Sequence, residues 1–311
     1  MRYQPEQLAG GLYGLLIGDA LGVPYEFNAP TDLPPLADIE LQPPANFTRS
    51  HAGTPPGTWS DDGALALCLL ASLLERGQFD PEDAGRRFVD WREHGYMAVD
   101  SRVFDIGGTT EDALDALQHG TPALEAGRSD EWAQGNGSLM RVLPLALWHR
   151  GDDAALAHDA TAQSRITHAH PSARACCALY CLWARRTLAG DADPWASAIM
   201  AFRAIYASET PERIMLDEII RPEEPYRTRG SGFVVDTLRS AQSVQGAGDY
   251  AAVVKAAIAL GNDTDTTACV AGGIAGLRFG LTGIPVRWRD GLRGHALVAP
   301  LVQQLIAWHA T

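Results

Sequence analysis

Apolar residues in Tyr250–Ile258 recur at the spacing of an α-helix, and almost nothing in this chain recurs at the spacing of a strand. Tyr250, Val253, Val254, Ala257 and Ile258 fall at i, i+3, i+4, i+7 and i+8, on one helix face, and Gly261 follows as a C-cap. Asp80-Pro81-Glu82-Asp83 starts a second helix, with Asp80 suited to the N-cap, Pro81 to the first turn and the acids to the positive end of the dipole. Pro171 opens a third, Ser172–Leu188, apolar on most sides at Cys176, Leu179, Cys181, Leu182 and Trp183, as in a buried central helix. Ala64–Leu74 reads the same way. Further helices are expected at about 5–18, 110–118, 140–149, 152–164, 194–207, 231–242, 265–278 and 297–309. Phe233-Val234-Val235 is the one β-like cluster, too short to build a sheet. Asn28–Gly57 and Glu209–Gly230 read as long surface loops, a class that is more often functional than not. With no internal repeat and no linker, residues 1–311 are expected to form one all-α domain.

Composition narrows the function classes. The formal net charge is −13, which argues against a protein that coats nucleic acid, since counterion release needs a broad basic stripe. Among the 25 basic residues only Lys255 is a lysine. A phosphate loop built on Gly-Lys-Ser/Thr is therefore excluded, as is a lysine Schiff-base enzyme unless Lys255 serves. The cysteines, Cys68, Cys176, Cys177, Cys181 and Cys269, are odd in number, mostly set in apolar stretches and form no CxxC pair. They read as buried reduced thiols and not as a disulfide framework or zinc site. The N-terminus has no basic region leading into a long apolar stretch, so no signal peptide is expected. The longest apolar run, near Ala64–Leu74, is shorter than the ~20 residues that span a bilayer. A cytoplasmic protein without a membrane partner is the expectation.

Chemistry concentrates at the joints between helices. Thr58-Trp59-Ser60-Asp61-Asp62-Gly63 precedes a buried helix, and taken alone Ser60 is an N-cap with acids in the first turn. Asn262-Asp263-Thr264-Asp265-Thr266-Thr267 precedes the helix carrying Ala271-Gly272-Gly273-Ile274-Ala275-Gly276 and admits the same reading, with small residues that permit close helix packing. Together the two motifs say more. Each sets two carboxylates and a hydroxyl within a few residues, with no basic residue beside them, and such carboxylates raise one another's pKa unless a cation neutralises them. Hard oxygen ligands suit Mg²⁺ or Mn²⁺, whereas zinc favours cysteine and histidine. Two such clusters have the ligands for a metal pair about 3.5–4 Å apart. Gly18-Asp19-Ala20-Leu21-Gly22-Val23-Pro24-Tyr25-Glu26-Phe27 brings two more acids at what is otherwise an ordinary helix end. Gly135-Asn136-Gly137-Ser138-Leu139-Met140-Arg141 is either a plain turn or one whose N–H groups face an anion at a helix start. Thr167-His168-Ala169-His170-Pro171 carries two histidines that stack on a ring, bind phosphate or cap the next helix.

The ordered set GDALGVPYEF, WSDDGALAL, DIGGTT, GNGSLMR, THAHPSA, GSGFVVDTL and GNDTDTTACVAGGIAG resembles the ADP-ribosylglycohydrolase family, whose members are related to the dinitrogenase-reductase-activating glycohydrolase. The resemblance runs from about residue 7 to 285 in the family's order. It implies a single compact orthogonal all-α domain with a central two-metal cleft for Mg²⁺ or Mn²⁺. By position, the implied metal ligands are Ser60, Asp61 and Asp62 from one motif, Asp263, Asp265 and Thr266 from the other, and Glu26 from a mobile loop after the first helix. Gly135, Asn136, Gly137 and Ser138 would lie near the distal ribose and diphosphate of ADP-ribose, with Gly107 and Gly108 opposite. His168 matches a residue that packs on adenine, and Phe233 would add an apolar wall, although the family's usual residue there is tyrosine. Asp105 matches an acid that faces the group attached to the ribose.

The implied reaction is metal-dependent hydrolysis of the bond between ADP-ribose and a modified acceptor, most often a protein, releasing free ADP-ribose. Glu26 and Asp62 are the candidates for assisting water, and Asp105 for the leaving group. The DIGGTT loop favours an arginine or other guanidino linkage. The alternatives are a non-catalytic ADP-ribose-binding protein and a two-metal phosphohydrolase that cuts the diphosphate. Five of the 38 acids would then serve the metal site, so the −13 counts the acids without the cations that they hold.

Overall fold

Pro5 opens the first helix, at a position where the missing proline N–H has no partner to lose. In the computed structural model, which describes residues 3–310, fifteen α-helices follow one another without a sheet among the described residues; Met1, Arg2 and Thr311 of the expected 1–311 domain lie outside them. They are α1 (Pro5–Gly22), α2 (Asp61–Arg76), α3 (Pro81–His94), α4 (Gly108–Gln118), α5 (Ala123–Ala126), α6 (Leu143–Trp148), α7 (Asp153–Arg165) and α8 (Pro171–Ala189). The second half holds α9 (Pro194–Ile205), α10 (Pro211–Ile214), α11 (Val234–Ser243), α12 (Tyr250–Ile258), α13 (Thr264–Phe279), α14 (Val286–Gly291) and α15 (His295–Ala310). The all-α expectation holds, and α8 is the buried central helix, with Cys176, Leu179, Cys181, Leu182 and Trp183 in the core. All five cysteines are free and buried.

The closest helix pair is α1 against α13, and glycine makes it possible. Gly10, Gly14, Gly18 and Gly22 stand four residues apart, on one face of α1. A Cβ on each would come within 2.4 Å of Gly276 O, 2.4 Å of Gly272 O, 2.1 Å of Ala268 O and 2.4 Å of Asp265 Cα, respectively. The partners descend as the glycines ascend, so the helices are antiparallel and the C-terminal end of α1 meets the N-terminal start of α13. Side-chain hydroxyls fix that register: Thr264 Oγ1 donates to Gly22 O (2.8 Å) and Tyr250 of α12 to Gly14 O (2.7 Å). From the other side Tyr180 of α8 donates to Val270 O (2.9 Å).

The helix boundaries expected from the sequence hold, with three departures. Asp80 caps α3 by accepting from Glu82 N and Asp83 N. At α12 the C-cap is Ala259, and Gly261 instead supplies the left-handed turn (φ 73°) that leads into the next motif. Glu209–Gly230 is only partly loop: Thr210 caps α10, which continues as a π-helical turn over Met215–Ile220. Phe233 is extended and Val234 begins α11, so the β-like cluster is a helix entry. Pro5–Tyr25 is 21 residues of mean hydropathy 1.2, long and apolar enough to cross a membrane by length and composition, which exceeds the Ala64–Leu74 run; 94% of its window is buried inside the protein.

Adding a methyl at the helix contact should be costly. Gly18→Ala is expected to lower stability by about 1–3 kcal/mol in urea denaturation. Gly246→Ala, where a Cβ meets nothing within 4 Å, is expected to stay within about 0.5 kcal/mol of the parent.

Candidate functional site

The α1–α13 contact delivers acids from three parts of the chain to one place. Glu26 follows α1, Asp61 and Asp62 begin α2, and Asp263 and Asp265 begin α13. Glu26, Asp61, Asp62 and Asp265 are all buried. Carboxylate oxygens of Glu26, Asp263 and Asp265 lie within 4.8 Å of one another, and Glu26 also closes a second group with His51 and Asp105. Ser60 caps α2, and its hydroxyl lies 3.2 Å from Asp62 Oδ2, which also accepts from Thr266 Oγ1 (3.3 Å). Asp263 caps nothing with its side chain: its Oδ2 accepts from Asn136 Nδ2 at 2.8 Å. The plain capping reading therefore describes the first motif in part and the second not at all.

Above the acids lies a cleft of about 440 Å³ lined by Glu26, Phe27, Asp61, Asp105, Gly107, Gly108, Gly135, Asn136, Gly137, His168, Asp263 and Thr266, among others. Ser60, Asp62 and Asp265 sit beneath this surface, bonded to or following its lining residues. Ser138 and Phe233 are apart from it. Ser138 is buried with its hydroxyl on Ser164 Oγ (2.8 Å), so it anchors the turn from behind, while Phe233 is half-exposed beside the cleft wall. Two isolated β-bridges, Arg128 with His168 and Gly135 with Phe233, clip the surrounding loops together. Gly137 has to be glycine, because a Cβ there would stand 2.8 Å from His168 Cε1.

His168 has one tautomer that satisfies its neighbours. Arg141, fully buried over the Phe88 ring, donates through Nη2 to Thr167 Oγ1 (2.8 Å), and His168 Nδ1 (2.8 Å) is the one acceptor among the described residues for the threonine hydrogen. Nδ1 accepts and Nε2 carries the hydrogen on the side of Gly135 and Gly137. Burial, aided by Arg141, lowers the His168 pKa to about 3, so the ring is neutral. The second histidine, His170, caps α8 by accepting from Ser172 N.

No arginine or lysine forms an ion pair with the five acids among the described residues. Burial, and after it the charge of Asp105, raises Glu26 to about 10. Burial raises Asp105 to about 6 and Asp19 to about 7. Asp61, Asp62 and Asp265 are pushed well above the usual carboxylate range, first by burial and then by one another and their acidic neighbours. Among the described residues, the buried carboxylate oxygens left without a hydrogen-bond partner are Asp62 Oδ1 and Asp265 Oδ2. Orphaned, unpaired and entirely oxygen, this donor set fits hard divalent cations.

Two residues of the site escape the motif reading. His51, in the Asn28–Gly57 loop, shares a hydrogen bond between its Nε2 and Glu26 Oε2 (2.7 Å) and stands 3.8 Å from Asp105 Oδ1, its ring against Phe27 and Phe104. The length of its loop was the only sequence signal for it. Asp19 lies in the first motif, yet its position under Ser60 follows only from the fold. Backbone strain collects here as well: Phe27 (φ 61°), His51 (48°), Asp105 (65°) and Asn262 (60°) all adopt left-handed conformations.

The comparisons with known proteins agree with this geometry. A family model described as ADP-ribosylglycohydrolase matches residues 2–310. The ADP-ribosylarginine hydrolase Tri1 of Pseudomonas putida (strain GB-1) is 32% identical over 302 residues, 96% of this chain and 78% of that protein. The ADP-ribosyl-(dinitrogen reductase) glycohydrolase of Rhodospirillum rubrum is 29% identical, over 91% of this chain and 89% of its own. A solved structure described as an ADP-ribosylglycohydrolase-related protein complex aligns with a TM-score of 0.78 at 29% identity, covering 98% of both chains.

A pH test of the cluster follows. An acid whose folded pKa is raised stabilises the fold below its unfolded value, about 4, and that stability is lost as pH rises through the folded value. For Asp105 and Asp19 those folded values are about 6 and about 7. The thermal midpoint of chelator-treated protein should therefore fall between about pH 5 and pH 8. Saturating Mn²⁺ should offset the fall, so that the gap between the two midpoints widens with pH; a gap that narrows would contradict the cluster electrostatics.

Proposed function

The chain belongs to the ADP-ribosylglycohydrolase family, and on that premise we propose that it hydrolyses the glycosidic bond between ADP-ribose and an arginine or other guanidino group of a modified protein. Hydrolysis of ADP-ribosyl linkages is the family's activity; the linkage is the finer step. The observation that carries the reading is the group of Glu26, Asp61, Asp62 and Asp265, all buried, with half-buried Asp263, unpaired by any arginine or lysine among the described residues, at the floor of a cleft. The guanidino linkage draws support from the relatives of Pseudomonas putida and of Serratia proteamaculans (strain 568), both named ADP-ribosylarginine hydrolase, at 32% and 31% identity. It also draws support from Asp105, whose carboxylate faces Glu26 and His51 and is suited to a cationic leaving group.

Ser60, Asp61, Asp62, Asp263, Asp265, Thr266 and Glu26 are the residues that would hold two Mg²⁺ or Mn²⁺ ions. Bound there, the ions supply charge neutralisation and Lewis acidity toward sugar hydroxyls and water. Asn136, held between Thr237 Oγ1 and Asp263 Oδ2 at 2.9 and 2.8 Å, is a rigid edge for the ribose. Gly135 and Gly137 leave room for the diphosphate to approach the backbone, and Gly107, ahead of α4, presents a helix start from the opposite wall. His168, neutral, offers the adenine an aromatic face and one N–H donor. Held ionised by the charge of the bound cations, Glu26 would receive the proton of the attacking water, with Asp62 as the other candidate. Water adds to the anomeric carbon as the bond to the acceptor nitrogen breaks, through an oxocarbenium-like transition state. The leaving group departs as a neutral guanidine, takes up the proton released by the water and becomes a guanidinium that Asp105 stabilises. Sequestration of the acids under the cleft keeps bulk water from screening these charges.

Asp61→Ala and Asp265→Ala are each expected to abolish release of ADP-ribose, and chelation to do the same in the parent. A panel of substrates modified at arginine, serine, nucleic acid or a small molecule should show fastest turnover on arginine. Full activity in either variant, or turnover indifferent to a chelator, would overturn the assignment. AMP and ribose phosphate as products would mark a phosphohydrolase, and tight ADP-ribose binding without turnover on any linkage a binding protein.

A further inference from the structure

We propose that Asp19 is a positioning residue for the cation-binding start of α2, setting Ser60, Asp61 and Asp62 in place from a neighbouring helix before any cation arrives. The inference rests on the reading of those three residues as cation ligands. Asp19 is fully buried on α1, and its two carboxylate oxygens accept the Ser60 N–H at 2.9 and 3.1 Å. One of them also accepts the Gly63 N–H at 2.8 Å. Gly63 is the third residue of α2, whose amide an ordinary serine N-cap satisfies with its own hydroxyl. Here the Ser60 hydroxyl is only 3.4 Å from Asp62 N and is turned toward Asp62 Oδ2. Asp19 takes over the Gly63 amide, and the serine keeps only the long bond to Asp62 N, which leaves its oxygen on the side of the acid cluster.

The placement couples the two acid motifs. Asp19 lies between Gly18 and Gly22, whose missing side chains seat α1 on Ala268 and Asp265 of α13. The same turn of α1 thus grips α13 through glycine and α2 through a carboxylate. Gly63 completes the fit, since a Cβ there would come within 2.8 Å of Leu16 Cδ2 and of Trp59 Cγ. Both Asp19 oxygens are occupied by N–H donors, in contrast to the orphaned Asp62 Oδ1 and Asp265 Oδ2, so Asp19 is not itself aimed at a cation. It acts through hydrogen bonds that an amide reproduces only in part: an asparagine keeps one acceptor oxygen for the Ser60 and Gly63 N–H groups, loses the charge, and sets its own N–H₂ against the Ser60 N–H where Oδ1 accepts at 2.9 Å.

Calorimetric titration of Mn²⁺ into the full chain measures the effect. Asp19→Asn, which keeps the shape, should retain the helical circular-dichroism spectrum and bind Mn²⁺ about 10- to 100-fold more weakly than the parent. Asp19→Glu, which keeps the acceptor charge at the cost of an added methylene, should bind more tightly than Asp19→Asn. A role in packing alone gives the opposite order, and that order, or parental affinity in folded Asp19→Asn, overturns the proposal. A parent chain that binds no Mn²⁺ overturns the reading of Ser60–Asp62 as ligands instead. Amide hydrogen exchange on the chelator-treated parent needs no variant to fold. The Ser60 and Gly63 amides should already exchange slowly; fast exchange that slows only on adding Mn²⁺ overturns the proposal.

Discussion

Carboxylates repel at close range, and burying several of them together is unfavourable unless the surrounding fold leaves them no alternative. The rest of this molecule supplies that compulsion. Glu26, Asp61, Asp62, Asp263 and Asp265 reach the same floor because each belongs to a helix end that is fixed by something other than charge. The glycine contact fixes the ends of α1 and α13, and the Asp19 hydrogen bonds fix the start of α2. Fifteen helices and a deep apolar core oppose a local repulsion that no arginine or lysine relieves among the described residues. Divalent cations held by these carboxylates would relieve it directly, and a site of this construction would then gain stability and reactivity from the same event.

The walls of the cleft obey a different logic. They come mostly from loops, with the start of α4 on one side, and they are joined by single β-bridges and side-chain bonds. The relay Arg141–Thr167–His168 is one such joint, and it turns a buried guanidinium into a statement about which imidazole nitrogen carries hydrogen. The Glu26–His51 contact is another, tying the first loop to the long one that follows it. Left-handed backbone at Phe27, His51, Asp105 and Asn262 marks where these loops bend harder than their residue types prefer.

The fold class and the acid motifs were legible in the sequence because they depend on local rules. Periodicity found the core helices, Asp80 and Pro171 found two helix starts, and the doubled acid–hydroxyl motifs pointed to cations. Residues whose roles depend on distant partners were not legible. His51 lies in a stretch with no period, and its neighbour Asp105 is more than fifty residues away along the chain. Ser138 shares a motif with Asn136 yet faces the opposite way, toward Ser164, because successive residues of a turn diverge in direction. The π-helical turn after α10 was hidden by its acidic and arginine-rich surroundings, which read as loop. The glycines of α1 were visible at their four-residue spacing, but only the presence of α13 gives that spacing a meaning.

Four-residue spacing on one helix against small residues on another permits sliding only in whole steps. A shift of one step, about 6 Å along the axis, would again set small residues face to face over much of the contact, whereas any smaller shift would drive backbone into backbone. The alignment of α1 with α13 is therefore quantised, like a ratchet with one tooth every four residues. Gradual change in the separation of the two acid motifs is closed to this scaffold. Fine adjustment of the site has to come from rotamers and loops.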